Sequence, residues 1–163
     1  MSIKEWRRTY MQAKTIGLIS YQEIPTDKQD YVRRELEREI GTALEEGYKT
    51  FLTEYVQGAG MIFTRCVKEQ GGKYPDIYLE GILSYTKQCE RFSRDEWELL
   101  SKCNGIKVLC DDCKQNYPLS VTRYLAGQSG RVIVIHDAQP DHDTAYAMDY
   151  ARSMERDLRI IQI

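Results

Sequence analysis

Long apolar runs are missing from this sequence. The longest aliphatic stretch is Val132–Ile135, far shorter than the roughly 20 apolar residues that a membrane-spanning helix needs. No apolar stretch follows the basic residues Lys4, Arg7 and Arg8, so the start of the chain lacks the pattern of a secretory signal. We therefore expect a protein that is neither secreted nor bound to a membrane.

An excess of basic charge is also missing. Lys and Arg total 23 against 25 Asp and Glu, which gives a formal net charge of −2. Both halves of the chain are close to neutral, so no long basic stripe is available to follow a phosphate backbone. This balance argues against duplex nucleic acid as a partner.

Cysteine and histidine are scarce and poorly spaced for chemistry. The five cysteines form an odd set without the pattern of a disulfide scaffold, which suits a reducing compartment and predicts a cytoplasmic protein. Cys110 and Cys113 form a C-x-x-C pair that has neither a convincing second pair for zinc nor a helix start for redox chemistry. The only histidines, His136 and His142, assemble no Ser-His-Asp or Cys-His set. We predict no metal site and no cofactor.

Short apolar runs alternate with amphipathic patterns along most of the chain. The runs predict strands near residues 15–20, 50–52, 77–83, 106–109, 131–135 and 158–163, with a helix after each of the first five. Apolar strands separated by helices indicate a parallel sheet with helices on both faces. We predict a single three-layer, Rossmann-like α/β domain over residues 15–163, with a mostly parallel sheet of about six strands.

Several helix boundaries carry local signals. Thr26 with Gln29, and Ser93 with Glu96, have the spacing of a capping box. Gly47 has the position of a helix stop, and the acidic segment 141–143 can cap the last helix. These signals predict helices that begin near residues 26, 93 and 141.

Residues 1–14 stand outside the alternating pattern. Ile3, Trp6 and Tyr10 are spaced as one face of a short amphipathic helix. Such a face most often packs on its own domain, which is the interpretation we favour. The alternative is a contact with a second copy in a homodimer.

Candidate site residues follow from the predicted sheet, because ligands of open parallel sheets bind beyond the carboxyl ends of the strands. Glu54 and Asp137 are the candidates for an acid or a base, whereas His136 is interpreted as a hydrogen-bonded structural group rather than a catalytic base. The residues expected to contact a ligand are Ser20, Tyr21, Thr53, Glu54, Gly58, Gly60, Asp137 and Thr144.

The turn Gly58-Ala59-Gly60 allows two interpretations. Glycines at a helix start let backbone N–H groups approach and hold a phosphate. They also ease a tight turn from strand to helix without any ligand. Neither a full G-x-G-x-x-G after the first strand nor a Walker lysine is present to decide between them.

Short segments spread over the chain are similar, in order and spacing, to a known group of Rossmann-like proteins. They are Thr15–Gly17, Glu45–Phe51, Tyr74–Ile77, Arg123–Tyr124, Thr144–Tyr146 and Tyr150–Ala151. On these residues the chain from about 15 to 163 resembles the YpsA-like branch of the SLOG superfamily, which includes DNA-processing protein A and the LOG phosphoribohydrolases. The resemblance implies a Rossmann-like fold with a nucleotide-type ligand.

The ligand loops depart from that pattern. The run Ser20–Glu23 stands in place of a Gly-His-Arg-type loop, Glu54 replaces a glycine, and only Thr144 remains of a Gly-Gly-Thr turn. The Pro-Gly-Gly-x-Gly-Thr-x-x-Glu signature of the phosphoribohydrolases is absent, which argues against that activity. Fewer glycines and added carboxylates are expected to weaken binding of an anion.

The function that we expect is binding or sensing of a nucleotide-derived small molecule without catalysis. One alternative is a nucleoside or N-glycosidic hydrolase that uses Glu54 or Asp137 as its acid or base. The other is a ligand-free scaffold that acts through protein contacts.

Overall fold

A computed structural model of the chain describes residues 1–6, 9, 14–21, 23–54, 58–110 and 117–163. In these ranges six strands form one sheet in which every pair is parallel, in the order β4-β3-β2-β1-β5-β6. The strands are β1 (Thr15–Ile19), β2 (Thr50–Glu54), β3 (Tyr78–Tyr85), β4 (Gly105–Cys110), β5 (Arg131–His136) and β6 (Asp157–Gln162).

Helices cover both faces of this sheet. They are α1 (Gln29–Glu45), α2 (Ala59–Glu69), α3 (Arg94–Ser101), α4 (Tyr117–Gln128) and α5 (His142–Ser153). Helix α2 packs between α1 and α3 on one face, which we call the α1–α3 layer, and α4 packs beside α5 on the other, the α4–α5 layer. The predicted three-layer, Rossmann-like α/β fold is confirmed. No helix in the described ranges has the length and apolarity needed to cross a membrane.

The core is divided by the sheet because successive side chains of a strand point to opposite faces. Ile16 and Leu18 of β1 pack in the α1–α3 layer, and Ile19 packs in the α4–α5 layer. Strand β5 is buried along its whole length, with Ile133 facing the first layer and Val134 the second. Each such aliphatic side chain contributes about 1.5–3 kcal/mol when it is fully buried.

The strand order reverses beside β1. Strands β2, β3 and β4 follow one another on one side of it, whereas β5 and β6 lie on the other. Leu18 is in register with Thr53 of β2, and Ile19 is in register with Val134 of β5. In open parallel sheets the carboxyl end of such a reversal is where ligands bind.

Two of the predicted helix caps are confirmed, and so is the stop of α1. The Ser93 hydroxyl accepts a hydrogen bond from the Glu96 N–H at 3.2 Å, and Asp141 accepts one from the Thr144 N–H at 2.8 Å. Gly47, just beyond α1, has a φ of +91°, a conformation that side chains disfavour.

The capping box predicted at Thr26 and Gln29 is wrong. Residues Thr26–Lys28 form a 3₁₀ turn, and α1 begins after Lys28 without a side-chain cap. The Lys28 N–H donates to the Pro25 carbonyl at 2.9 Å. This hydrogen bond between residues three positions apart makes the segment a 3₁₀ turn, so the α-helix begins only at Gln29.

The amino-terminal segment does not bury the face on which the sequence predicts docking. Residues 3–6 are helical, and Ser2 and Glu5 exchange hydrogen bonds of 2.8 and 3.1 Å. Ile3 is 75% exposed and Trp6 is 57% exposed, so the favoured interpretation is wrong for these two side chains. The capping pair satisfies backbone groups of this turn locally. Tyr10 lies outside the described residues.

Candidate functional site

Polar side chains end four adjacent strands on one face of the sheet. Ile82, Leu52, Ile19 and Val134, from β3, β2, β1 and β5, all pack in the α4–α5 layer. Because successive side chains of a strand point to opposite faces of the sheet, the residue two positions further along each chain segment faces the same layer. These residues, which we call the polar row, are Ser84, Glu54, Tyr21 and His136.

Glu54 lies two residues further from the carboxyl edge than the rest of the polar row. It is in register with Ile82, and the pairing of Leu18 with Thr53 places Ile19 on its other side. Its carboxyl group therefore projects into the last apolar level of the α4–α5 layer, and the residue is only 4% exposed. The Ser84 hydroxyl donates to Glu54 Oε1 at 3.4 Å, whereas Oε2 is buried without a hydrogen-bond partner among the described residues.

This location changes the charge of the glutamate. Burial raises the pKa of Glu54 to about 8, and the hydrogen bond from Ser84 offsets only part of the increase. Desolvation has this effect because it disfavours the charged form. At neutral pH the carboxyl group is mostly protonated and can donate a hydrogen bond, so it does not repel an anion as the sequence suggested.

Ser84 is a site residue that the sequence reasoning missed, because the predicted third strand ended at Leu83. The strand continues to Tyr85, and the turn Thr86–Arg91 brings Gln88 back so that its Oε1 accepts from the Ser84 N–H at 2.8 Å. The sequence signal for Ser84 was its position two residues after the apolar Ile82, because side chains two positions apart on a strand face the same side of the sheet.

Tyr21 ties the end of β1 to α4. Its hydroxyl lies 2.6 Å from Thr122 Oγ1, and Thr122 is fully buried. Thr122 was also missed, because nothing in the sequence distinguishes it from Arg123, which lies between the same apolar positions Val121 and Leu125 and is exposed. Ser20, the neighbouring candidate, is half-buried directly after β1.

His136 and Asp137 end β5 in backbone contacts. Nδ1 of His136 lies against the Asp137 carbonyl, and the His136 carbonyl accepts from the Ile163 N–H at 2.9 Å. Asp137 is exposed, and its Oδ1 accepts from the Gln139 N–H at 2.9 Å. The Asp137 carboxylate thus closes a local turn.

Thr144 stands in the first turn of α5. Its N–H is capped by Asp141, whereas its Oγ1 is buried and has no partner among the described residues. Ala147 and Met148, one turn further along the same helix face, pack in the α4–α5 layer. Thr144 therefore faces the same side of the sheet as the polar row.

Thr53, Gly58 and Gly60 come together where β2 passes into α2. The Thr53 hydroxyl donates to the Glu54 carbonyl at 3.1 Å, and a β-carbon on Gly60 would lie 2.7 Å from that same oxygen. Gly58 has a φ of +84°. The backbone of the turn thus requires both glycines. This agrees with the interpretation that they ease a tight turn from strand to helix without any ligand.

The helix starts at this edge differ in charge. Helix α2 has no side-chain cap and no acidic residue in its first turn. Helix α5 is capped by the carboxylate of Asp141 and carries Asp143 in its first turn. An anion would be favoured at the start of α2 and disfavoured at the start of α5.

Two of the cysteines that the structure describes, Cys66 and Cys103, offer little reactivity. Burial raises the pKa of the Cys66 thiol to about 12 and that of Cys103 to about 11, which keeps both as thiols. Cys113 lies outside the described residues, as do residues 22, 55–57 and 111–116. Within the described ranges no three His, Cys, Asp or Glu residues cluster as a metal site.

The parallel sheet and its polar edge define a Rossmann-like α/β domain. No protein-family model and no curated protein matches the chain. Among solved structures, the chain is similar to the X-ray structure of TM1055, a Northeast Structural Genomics Consortium target. The two share 17% identity and a TM-score of 0.56, over 88% of this chain and 71% of the other. This likeness shows the fold.

Proposed function

We propose that this chain is a SLOG-type domain that binds a nucleotide-derived small molecule at the carboxyl edge of its sheet without catalysing a reaction. The polar row carries the proposal, because it gathers hydrogen-bonding groups from four strands beside the reversal of strand order. A few polar groups above an apolar floor at this edge are typical of the places where open α/β sheets bind ligands.

Unpartnered oxygens at this edge support a binding role. Buried polar atoms nearly always have a hydrogen-bond partner, and leaving one unsatisfied costs about 1–3 kcal/mol. Five such side-chain atoms occur among the described residues, and two of them, Glu54 Oε2 and Thr144 Oγ1, lie at the carboxyl edge. A ligand that supplied their partners would recover this cost.

Contacts of the remaining candidates favour binding over catalysis. The Asp137 carboxylate accepts from a backbone N–H, the His136 ring lies against a backbone carbonyl, and the Tyr21 hydroxyl is bonded to Thr122. A catalytic base must instead be within hydrogen-bond reach of a nucleophile or substrate proton. Ser84 does donate to Glu54 at 3.4 Å, but the raised pKa of Glu54 leaves its carboxyl group mostly protonated at neutral pH and therefore a poor base.

The proposal is tested by thermal shift with nucleosides, nucleoside monophosphates, cyclic nucleotides and ADP-ribose derivatives. A ligand at 100 times its Kd stabilises by about 2.7 kcal/mol, which raises the Tm of a domain of this size by several degrees. Ser84→Ala should reduce the shift, whereas Tyr78→Phe, at the opposite end of β3, should leave it unchanged. If no compound in the panel raises the Tm, the proposal fails.

A hydrolase of N-glycosidic bonds is the second candidate, and one observation favours it. A carboxyl group whose pKa is raised to about 8 remains protonated at neutral pH and is suited to act as a general acid. Incubation with nucleoside monophosphates, followed by chromatography for released base, tests this activity. Release no greater than that of the Glu54→Gln variant excludes it.

A further inference from the structure

The polar row itself contains no lysine or arginine side chain. The row consists of hydroxyl, carboxyl and imidazole groups, and its described partners Thr122 and Gln88 add a hydroxyl and an amide. Proteins usually bind phosphate through Arg, Lys or the open start of a helix. The row therefore offers a phosphate neither an arginine nor a lysine side chain.

The helix that begins on this face does not replace the missing cations. The Asp141 carboxylate occupies the start of α5, where it accepts from the Thr144 N–H at 2.8 Å, and Asp143 follows in the first turn. A phosphate at this end would meet two acidic side chains in place of free N–H groups.

Glu54 is also poorly placed to face an anion. Its carboxyl group lies at the level of Ile82 and Ile19, with Oε1 bonded to Ser84 and Oε2 without a described partner. In such an apolar level any charge is expensive, so a phosphate beside the neutral Glu54 would lose its hydration with no cation of the row to compensate it. A neutral group that both donates and accepts hydrogen bonds fits Glu54 and Ser84 far better.

We infer that the part of the ligand that meets the polar row is an uncharged edge of donors and acceptors, as in a nucleobase or nucleoside, and not a phosphate. This inference rests on the proposed function and narrows it. Glu54 and Ser84 form hydrogen bonds with the planar edge of the ligand, which gives Glu54 Oε2 the hydrogen-bond partner that it lacks. The polar row adds nothing to the affinity for a phosphate.

The test compares each nucleoside with its 5′-monophosphate by isothermal titration calorimetry, using adenosine, guanosine, cytidine and uridine with the wild-type chain. For the best base, the nucleoside is expected to bind without its phosphate. If only the monophosphates bind, the inference is overturned and the proposed function stands. If neither kind of compound binds, the proposed function itself fails.

Variants test the role of Glu54 in the same measurement. Glu54→Leu, which removes both hydrogen-bonding oxygens, is expected to weaken nucleoside binding at least tenfold, whereas Glu54→Gln should weaken it less than threefold. Glu39→Leu is the matched control, because Glu39 on α1 is also buried with an Oε2 that makes no hydrogen bond, but it is not part of the row and lies 3.9 Å from Arg159 of β6. Nucleoside affinity unchanged by Glu54→Leu overturns the inference. If Glu54→Leu does not fold, the wild-type comparison still decides.

Discussion

The carbonyl oxygen of Glu54 faces Gly60 so closely that a β-carbon there would lie 2.7 Å away. The same oxygen accepts a hydrogen bond from the Thr53 hydroxyl. Thr64 in turn donates to the Gly60 carbonyl at 2.8 Å. The end of β2 and the start of α2 are therefore held together backbone to backbone, and this contact positions the Glu54 side chain.

Gly60→Ala is expected to lower the free energy of unfolding by about 1–3 kcal/mol, because the added methyl group meets a backbone atom that cannot move aside. Urea denaturation measures the change. Gly41→Ala is the matched control: Gly41 lies in α1 with no other atom within 4 Å of a new β-carbon, so it should gain about 0.5–1 kcal/mol. Equal effects of the two substitutions would contradict the structure.

Glu54→Gln is expected to stabilise the protein more at pH 8.5 than at pH 5. Between the ordinary pKa of 4.5 and the raised pKa of about 8, the unfolded chain releases a proton that the folded chain retains, so wild-type stability falls as the pH rises. The variant does not pay this cost, which is on the order of 1–4 kcal/mol. Urea denaturation at the two pH values measures the difference.

The control for this prediction has the opposite sign. Glu39 lies 3.8 Å from Arg38 and 3.9 Å from Arg159. Glu39→Gln removes a carboxylate from between two cations and should lower stability at pH 8.5. If Glu54→Gln is no more favourable at pH 8.5 than at pH 5, the buried position of its carboxyl group is wrong.

The hydrogen bond between Tyr21 and Thr122 is expected to appear as coupling in a double-mutant cycle. Tyr21→Phe and Thr122→Val each leave one hydroxyl without its partner, and the double variant removes both. The coupling energy should be about 0.5–1.5 kcal/mol. A control cycle that combines Tyr78→Phe with Thr122→Val should give additive effects. Additive effects in the cycle of Tyr21 and Thr122 as well would refute the contact.

Arg131→Met is expected to cost about 2–3 kcal/mol at pH 7, because the buried guanidinium holds two carboxylates at once. It bonds Glu46 at 2.6 Å and Asp157 at 2.8 Å and lies 4.6 Å from the ring centre of Tyr48. Urea denaturation checks the loss. Arg33→Met, which removes only exposed ion pairs on α1, should change stability by less than about 0.5 kcal/mol.

The loss caused by Arg131→Met should shrink in acid. Burial alone would raise the pKa of Asp157, but the hydrogen bonds from Arg159 and Arg131 outweigh it and lower that pKa. Stability from a carboxylate with a lowered pKa is present above its ordinary pKa of 3.8 and is lost as the pH falls further. Repeating the titration near pH 3 tests this, and an unchanged difference would argue against the ion pair.

Much of the fold follows from local patterns. Apolar runs such as Val132–Ile135 are too continuous for a one-sided sheet, so they predict parallel strands with helices on both faces. The caps at Ser93 and Asp141 depend on residues three positions apart and were predicted correctly. At Thr26 the same reasoning failed, because the Pro25 carbonyl accepts an earlier, tighter bond from Lys28.

The candidate site could be predicted from the sequence only where the ends of the strands could be predicted. Tyr21, Glu54 and Thr144 were placed at the carboxyl edge because they follow or precede recognisable elements. Ser84 and Thr122 were not, since their partners Glu54 and Tyr21 are 30 and 101 residues away in the chain. The neutral form of Glu54 was equally hidden, because its burial depends on the register between β1, β2 and β3.

The position of β1 has a consequence for synthesis of the chain. Ile16 pairs with Phe51 on one side and with Arg131 on the other. While the chain is being made, β2 emerges directly after β1, whereas β5 emerges only after β3 and β4. Until then the central strand is an edge, with unpaired backbone groups next to apolar side chains that attract other nascent chains. Strand β6 still follows at the rim, but the central strand is covered on both sides only once β5 has been made.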